Sequence, residues 1–67
     1  MNKDQFVEYL HEKEDLSEDA LILVGNIFEF ICGMAESQEE GCEILSYMLK
    51  GVVVIDQDEL NKLGVIF

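Results

Sequence analysis

From Ala20 to Ala35 only Asn26 and Glu29 interrupt a run of apolar residues and glycines, and no proline occurs there or anywhere else in the chain. A stretch this long, without a breaker and apolar nearly all round a 3.6-residue turn, predicts a central helix wrapped on most sides. Ser17 is its candidate N-cap, and Glu18 and Asp19 fall in the first turn, where negative charge suits the helix dipole. Leu16, just before the cap, is placed to pack back as a hydrophobic staple. Gly25 and Gly33 project from roughly one side. Each costs about 1 kcal/mol relative to alanine in a helix, so together they point to a close helix approach or a bend, unless they are simply tolerated.

The rest of a 67-residue chain has to fold against this rod. Residues 3 to 14 place Phe6, Val7 and Leu10 on one face with Tyr9 beside them, and Asp4 in the first turn. Ser37-Gln38-Glu39-Glu40 is a capping-box pattern opening a third helix, with Cys42, Leu45, Met48 and Leu49 on its apolar face and Ile44 and Tyr47 widening it. Gly51 fits the left-handed position that ends such a helix. Val52 to Ile55 is a β-branched run that favours extended chain. Asp56 then caps a short helix ended by Gly64, and Val65-Ile66-Phe67 follows. The two extended pieces could pair, but a lone two-stranded ribbon is marginal, so irregular strings of core residues are expected. The expected architecture is all-α: one domain over residues 1–67, a compact bundle of three main helices with a short C-terminal helix and a short extended segment at 52–55.

Motifs for chemistry are missing. His11, the only histidine, has Glu8 and Asp15 as helical neighbours, which describes an ordinary surface histidine among carboxylates. Cys32 and Cys42 fall on different helices with nothing basic nearby to activate them. They read as reduced, small apolar residues of a cytoplasmic protein. One histidine and two separated cysteines do not supply a zinc site. Asp56-Gln57-Asp58 starts like a calcium loop, but its fifth, sixth and twelfth places are Leu60, Asn61 and Phe67, where oxygen, glycine and glutamate are needed. No phosphate-binding glycine loop is present. An enzyme is therefore not expected, nor is a cofactor or a metal.

Asp15-Leu16-Ser17 at a helix start, in a small acidic helical chain, resembles the Asp-Ser-Leu motif of acyl carrier proteins. That resemblance implies a phosphopantetheine on Ser17. The order of the three residues differs, Glu18 follows the serine, and only sixteen residues precede it where carriers have a longer helix and loop. A helix cap is the simpler role for Ser17, and a carrier-like protein stays as a minor alternative.

Charge sets the expected partners. Fifteen Asp and Glu against four Lys give a net charge of −11. Such a field repels nucleic acid and anionic lipid and favours a basic protein surface. No basic leader precedes an apolar stretch, and no apolar run approaches the roughly 18 residues of a membrane span. Direct nucleic-acid binding and membrane association are not expected. The carboxylates gather in two places: Glu12, Glu14, Asp15, Glu18 and Asp19 between the first two helices, and Glu36, Glu39, Glu40 and Glu43 between the second and third. A continuous second helix separates them by roughly 27 Å. Capping accounts for part of each cluster; the remainder could serve solubility alone, or mimic phosphate charge for a basic groove.

The leading expectation is a small inhibitor or regulator that acts by protein–protein contact. In size and charge it is similar to phage and mobile-element products that block host enzymes. The alternative is a structural or assembly protein acting through its own oligomer, because an apolar fraction of 49% is more than a bundle this small easily hides. Interface candidates for a homodimer are Phe6, Ile22, Phe28, Val53 and Phe67; Ile22 is included because it shares a side of the second helix with Asn26 and Glu29.

Overall fold

The computed structural model describes residues 1–64. Four helices follow one another: α1 (Lys3–Lys13), α2 (Glu18–Met34), α3 (Gln38–Met48) and α4 (Gln57–Leu63), with no strand among the described residues. The expected all-α bundle of three main helices and a short fourth is what forms. Packing is serial: α1 lies on α2, α2 on α3, and α3 on α4.

Local chemistry starts each helix. The Ser17 hydroxyl accepts from the Ala20 N–H at 3.2 Å, the Ser37 hydroxyl from the Glu40 N–H at 3.1 Å, and the Asp56 carboxylate from the Glu59 N–H at 2.8 Å. The complete reciprocal box occurs at α1, where the Asn2 side chain accepts from the Gln5 N–H and the Gln5 side chain accepts from the Asn2 N–H. At α3 and α4 only the forward half of the box is made.

Helix ends divide the two glycines expected to stop helices. Gly64 adopts φ 64° at the α4 C-cap, as expected. Gly51 does not enter the left-handed region; Gly64 is the one glycine with positive φ among the described residues. After α3 the chain keeps turning right-handed instead. Leu49 stays in the αR region, and its carbonyl accepts from both the Val52 and Val53 N–H groups at 2.8 and 3.0 Å. That arrangement satisfies the end of the helix without a left-handed residue. The β-branched run then forms an irregular string that inserts Val53 and Ile55 into the core and leaves Val54 outside.

One cluster makes the core: Phe6 and Leu10 from α1, Val24, Phe28 and Ile31 from α2, Cys42, Leu45 and Leu49 from α3 and its cap, Val53 and Ile55 from the string, and Leu60 from α4. Leu16 packs against it from the α1–α2 connection. The rings of Phe6 and Phe28 stack with centroids 4.6 Å apart. No polar or charged side chain is buried among the described residues.

Two readings of α2 change. It is not wrapped on most sides. Its neighbours α1 and α3 have 11 residues each against its own 17, and α4 packs elsewhere. Two shorter helices cannot cover its circumference, and Ile22, Leu23, Phe30 and Met34 stay exposed at 47 to 62%. Its glycines also do different things. A Cβ on Gly25 would meet Lys3 Cε at 3.2 Å and Val7 Cγ2 at 3.3 Å, so α1 approaches closely there, whereas a Cβ on Gly33 would meet no described residue within 4 Å. Gly33→Ala should therefore recover most of the helix-propensity difference, about 1 kcal/mol, and raise Tm by about 4–8 °C for a domain of this size. Gly25→Ala should give a smaller rise, because crowding against α1 offsets the gain. Thermal melts of both variants check this, and a larger rise for Gly25→Ala would contradict it.

Candidate protein-binding surface

Every member of the two acidic clusters is exposed except Glu14, which is half-buried. Glu14 reaches across to accept from the Val54 N–H at 3.3 Å, so it helps hold the irregular string to the end of α1. Glu12 lies near the end of α1 and Asp15 in the following turn. Glu18 and Asp19 occupy the first turn of α2. At the other end Glu36 follows the α2 C-cap, Glu39 and Glu40 fill the first turn of α3, and Glu43 lies one turn further on.

The helix dipole accounts for Glu18, Asp19, Glu39 and Glu40, which sit where partial positive charge gathers. It does not account for Glu12, in the last turn of α1 where the carbonyls already present partial negative charge, or for Glu43, beyond the first turn of α3. The lysines do not relieve them either. Among the described residues Lys3 pairs with Glu29 at 3.4 Å and Lys13 with Glu59 at 2.6 Å, and neither acidic cluster forms an ion pair. With 17 residues between its caps, α2 spans about 25 Å, most of the 30 Å long dimension of the molecule. The clusters flank the two ends of this rod.

The apolar candidates fall into three groups. Phe6, Phe28 and Val53 are inside the chain's own core, so they have no surface to offer a second copy. Their burial follows from the α1–α2 stacking and from the inward turn of the irregular string. Ile22 is 57% exposed and stays open to a partner. Phe67 lies outside the described residues. Leu23, Phe30 and Met34 are exposed neighbours of this set that the sequence reading assigned to the core. The signal that marks them is the length of α2 against that of its neighbours, not any local pattern.

A further feature without a sequence signal is an open groove of about 490 Å³ between α3 and the start of α4. Ile44, Tyr47 and Ile55 give it apolar walls, with Glu43, Lys50 and Asp56 at its edges.

Glu59 joins α4 to α1. The Tyr9 hydroxyl donates to it at 2.5 Å and the Lys13 ammonium at 2.6 and 2.7 Å. Hydrogen bonding from Lys13, then from Tyr9, holds the Glu59 carboxyl below its ordinary value. The same bonds to Glu59 hold Tyr9 and Lys13 above theirs. A depressed carboxylate stabilises the fold above about pH 4.3 and loses that contribution as pH falls through its lower folded value. Raised Tyr and Lys groups act in the opposite window. Their contribution is full below about pH 10 and is lost as pH rises through their folded values. Glu59→Gln should flatten both limbs of the stability–pH curve. Urea midpoints from acid to alkaline pH test this, and unchanged slopes at both ends would count against it.

Burial pushes the thiols of Cys32 and Cys42 up, which keeps them protonated and poorly nucleophilic at neutral pH. Ser17 uses its hydroxyl as a cap acceptor. No group of three or more metal-binding side chains comes together among the described residues, and no described helix is long and apolar enough to cross a membrane.

No protein-family model matches the chain, and no curated protein or solved structure matches it either.

Proposed function

We propose that this chain is a non-enzymatic binding protein that regulates or inhibits a partner with a basic surface, including the nucleic-acid-binding grooves of other proteins. The observation that carries the reading is the pair of unpaired acidic clusters at the two ends of α2. Part of each lies where helix capping does not call for it, and no lysine neutralises it. Carboxylates left free at a spacing of tens of ångströms attract a cationic surface over a Debye length and set its orientation. Residence in the cytoplasm agrees with two reduced cysteines, neither of them disulfide-bonded.

The test uses proteins of the source cell that are retained on immobilised heparin, which enriches basic nucleic-acid-binding surfaces. Wild type and the Glu39→Gln, Glu40→Gln, Glu43→Gln triple variant are compared as baits at low and high salt. The variant removes three of the eleven net negative charges and leaves the caps and the core intact. Capture should fall by about tenfold in the variant and be lost at high salt, because steering by charge is what both changes remove. Equal capture by both baits would refute the reading.

A second reading, self-assembly, is favoured by the uncovered apolar residues of α2. A dimer that persists at high salt in light scattering would support it.

A further inference from the structure

On α2 the residues Ala20, Leu23, Ile27, Phe30 and Met34 recur at spacings of three, four, three and four, which is the seam of a coiled-coil helix. Leu23, Phe30 and Met34 are the exposed members, and Ala20 and Ile27 are half-buried along the same line. Among the described residues Leu23, Phe30 and Met34 are left uncovered, while Ile27 also packs against the core. From the geometry of α2 we infer that a basic amphipathic helix of a partner protein docks along it. This rests on the binding reading above and names the shape and chemistry of the partner.

Three observations select that occupant. A three–four seam drifts only about 20° per heptad from a line along the helix, so an element covering its length of about 21 Å must run nearly parallel to α2. A second helix crossing at about 20° does this with side chains interlocked. Next, Asp19, Asn26 and Gly33 flank the solvent side of the seam at seven-residue spacing. Gly33 leaves open space beside Phe30 and Met34. Its cost in helix propensity has no packing return among the described residues, and the notch admits an approaching helix. Finally, both ends of the seam are acidic, with Glu18 and Asp19 at one and Glu36 at the other. A second copy would bring like charges together in either direction, parallel or antiparallel. A helix with lysine or arginine at its ends meets opposite charge in both.

The probe is a synthetic three-heptad peptide with leucine at the a and d positions and lysine at e and g, compared with a shuffled peptide of the same composition. Binding to the full chain is read by fluorescence anisotropy. The patterned peptide should bind about tenfold tighter than the shuffled one. Phe30→Ser and Gly33→Leu should each weaken it by about tenfold while the circular dichroism of the protein stays unchanged. Equal affinity for the two peptides would overturn the inference, as would unaltered binding by both seam variants. If those variants bind normally while the Glu39, Glu40 and Glu43 neutralisation still abolishes capture of basic proteins, the seam alone is refuted and the charge reading stands. If the seam variants fail while that neutralisation changes nothing, the seam is supported and the charge reading falls. A wild-type dimer that Phe30→Ser splits would assign the seam to a second copy and overturn the proposal.

Discussion

Phe6→Ala should leave most of the protein unfolded at room temperature. Phe6 is fully buried, and its ring stacks on that of Phe28 at 4.6 Å with an interplanar angle of 19°. The stack joins α1 to α2, and both of its rings belong to the core. Removing a buried phenylalanine side chain costs about 3–5 kcal/mol, through lost transfer energy and the cavity left behind. A single core in a domain this small rarely supplies more than about 3–5 kcal/mol in all. The two quantities are of the same size, so the variant has little or no margin. Phe6→Leu keeps much of the volume and should cost less than about 1.5 kcal/mol. Far-ultraviolet circular dichroism and urea titration separate these outcomes. A cooperative transition for Phe6→Ala with a midpoint near that of wild type would contradict the role given to the stack.

Leu60→Ala should act differently, by melting α4 while the other three helices stay formed. Leu60 is the one buried residue of this seven-residue helix. A helix so short does not hold in water by itself. Around Leu60 the links are the half-buried Leu63, which touches only the edge of the core, and polar contacts: Glu59 with Tyr9 and Lys13, and a bond from the Gln38 side chain to the Asn61 carbonyl at 3.3 Å. Exposed ion pairs contribute little, typically under 1 kcal/mol, so they cannot replace a buried leucine worth about 2–5 kcal/mol. Hydrogen exchange reads the result directly. The amides of Leu60 to Gly64 should lose protection in the variant, while those in the middle of α2 keep theirs. Unaltered protection in α4 would show that the polar links suffice.

Most of the fold was legible in the residues because its signals are local. Ser17, Ser37 and Asp56 each cap the helix they were expected to cap, since a short polar side chain three residues before an orphan N–H is a nearest-neighbour arrangement. The β-branched string at 52–55 was legible for a similar reason. What was not legible depends on the size and position of other elements. Nothing between Ala20 and Ala35 says that the flanking helices stop at 11 residues, so Leu23, Phe30 and Met34 looked as buried as Val24 and Ile31. Gly51 and Gly64 follow helices in the same way, yet only Gly64 turns left-handed, because the chain after Leu49 continues to turn right-handed. Glu59 carried the marks of a capping-box partner, and the structure uses its carboxylate on α1, 46 and 50 residues away. The acidic clusters could be placed at the ends of α2 from sequence. Their lack of lysine partners could not, since Lys3 and Lys13 find their carboxylates through tertiary packing.

The order in which the helices pack has a kinetic side. Each one rests on its immediate neighbour in the chain, so the loops that must close during folding are short and cost little entropy. Helical proteins built from such sequence-local pairings have low contact order and belong to the class that folds within about microseconds to milliseconds. During synthesis α1 and α2 can meet as soon as both have left the ribosome, and α3 can join before α4 exists. The bridge from Tyr9 and Lys13 to Glu59 then closes the assembly last, on its solvent-facing side.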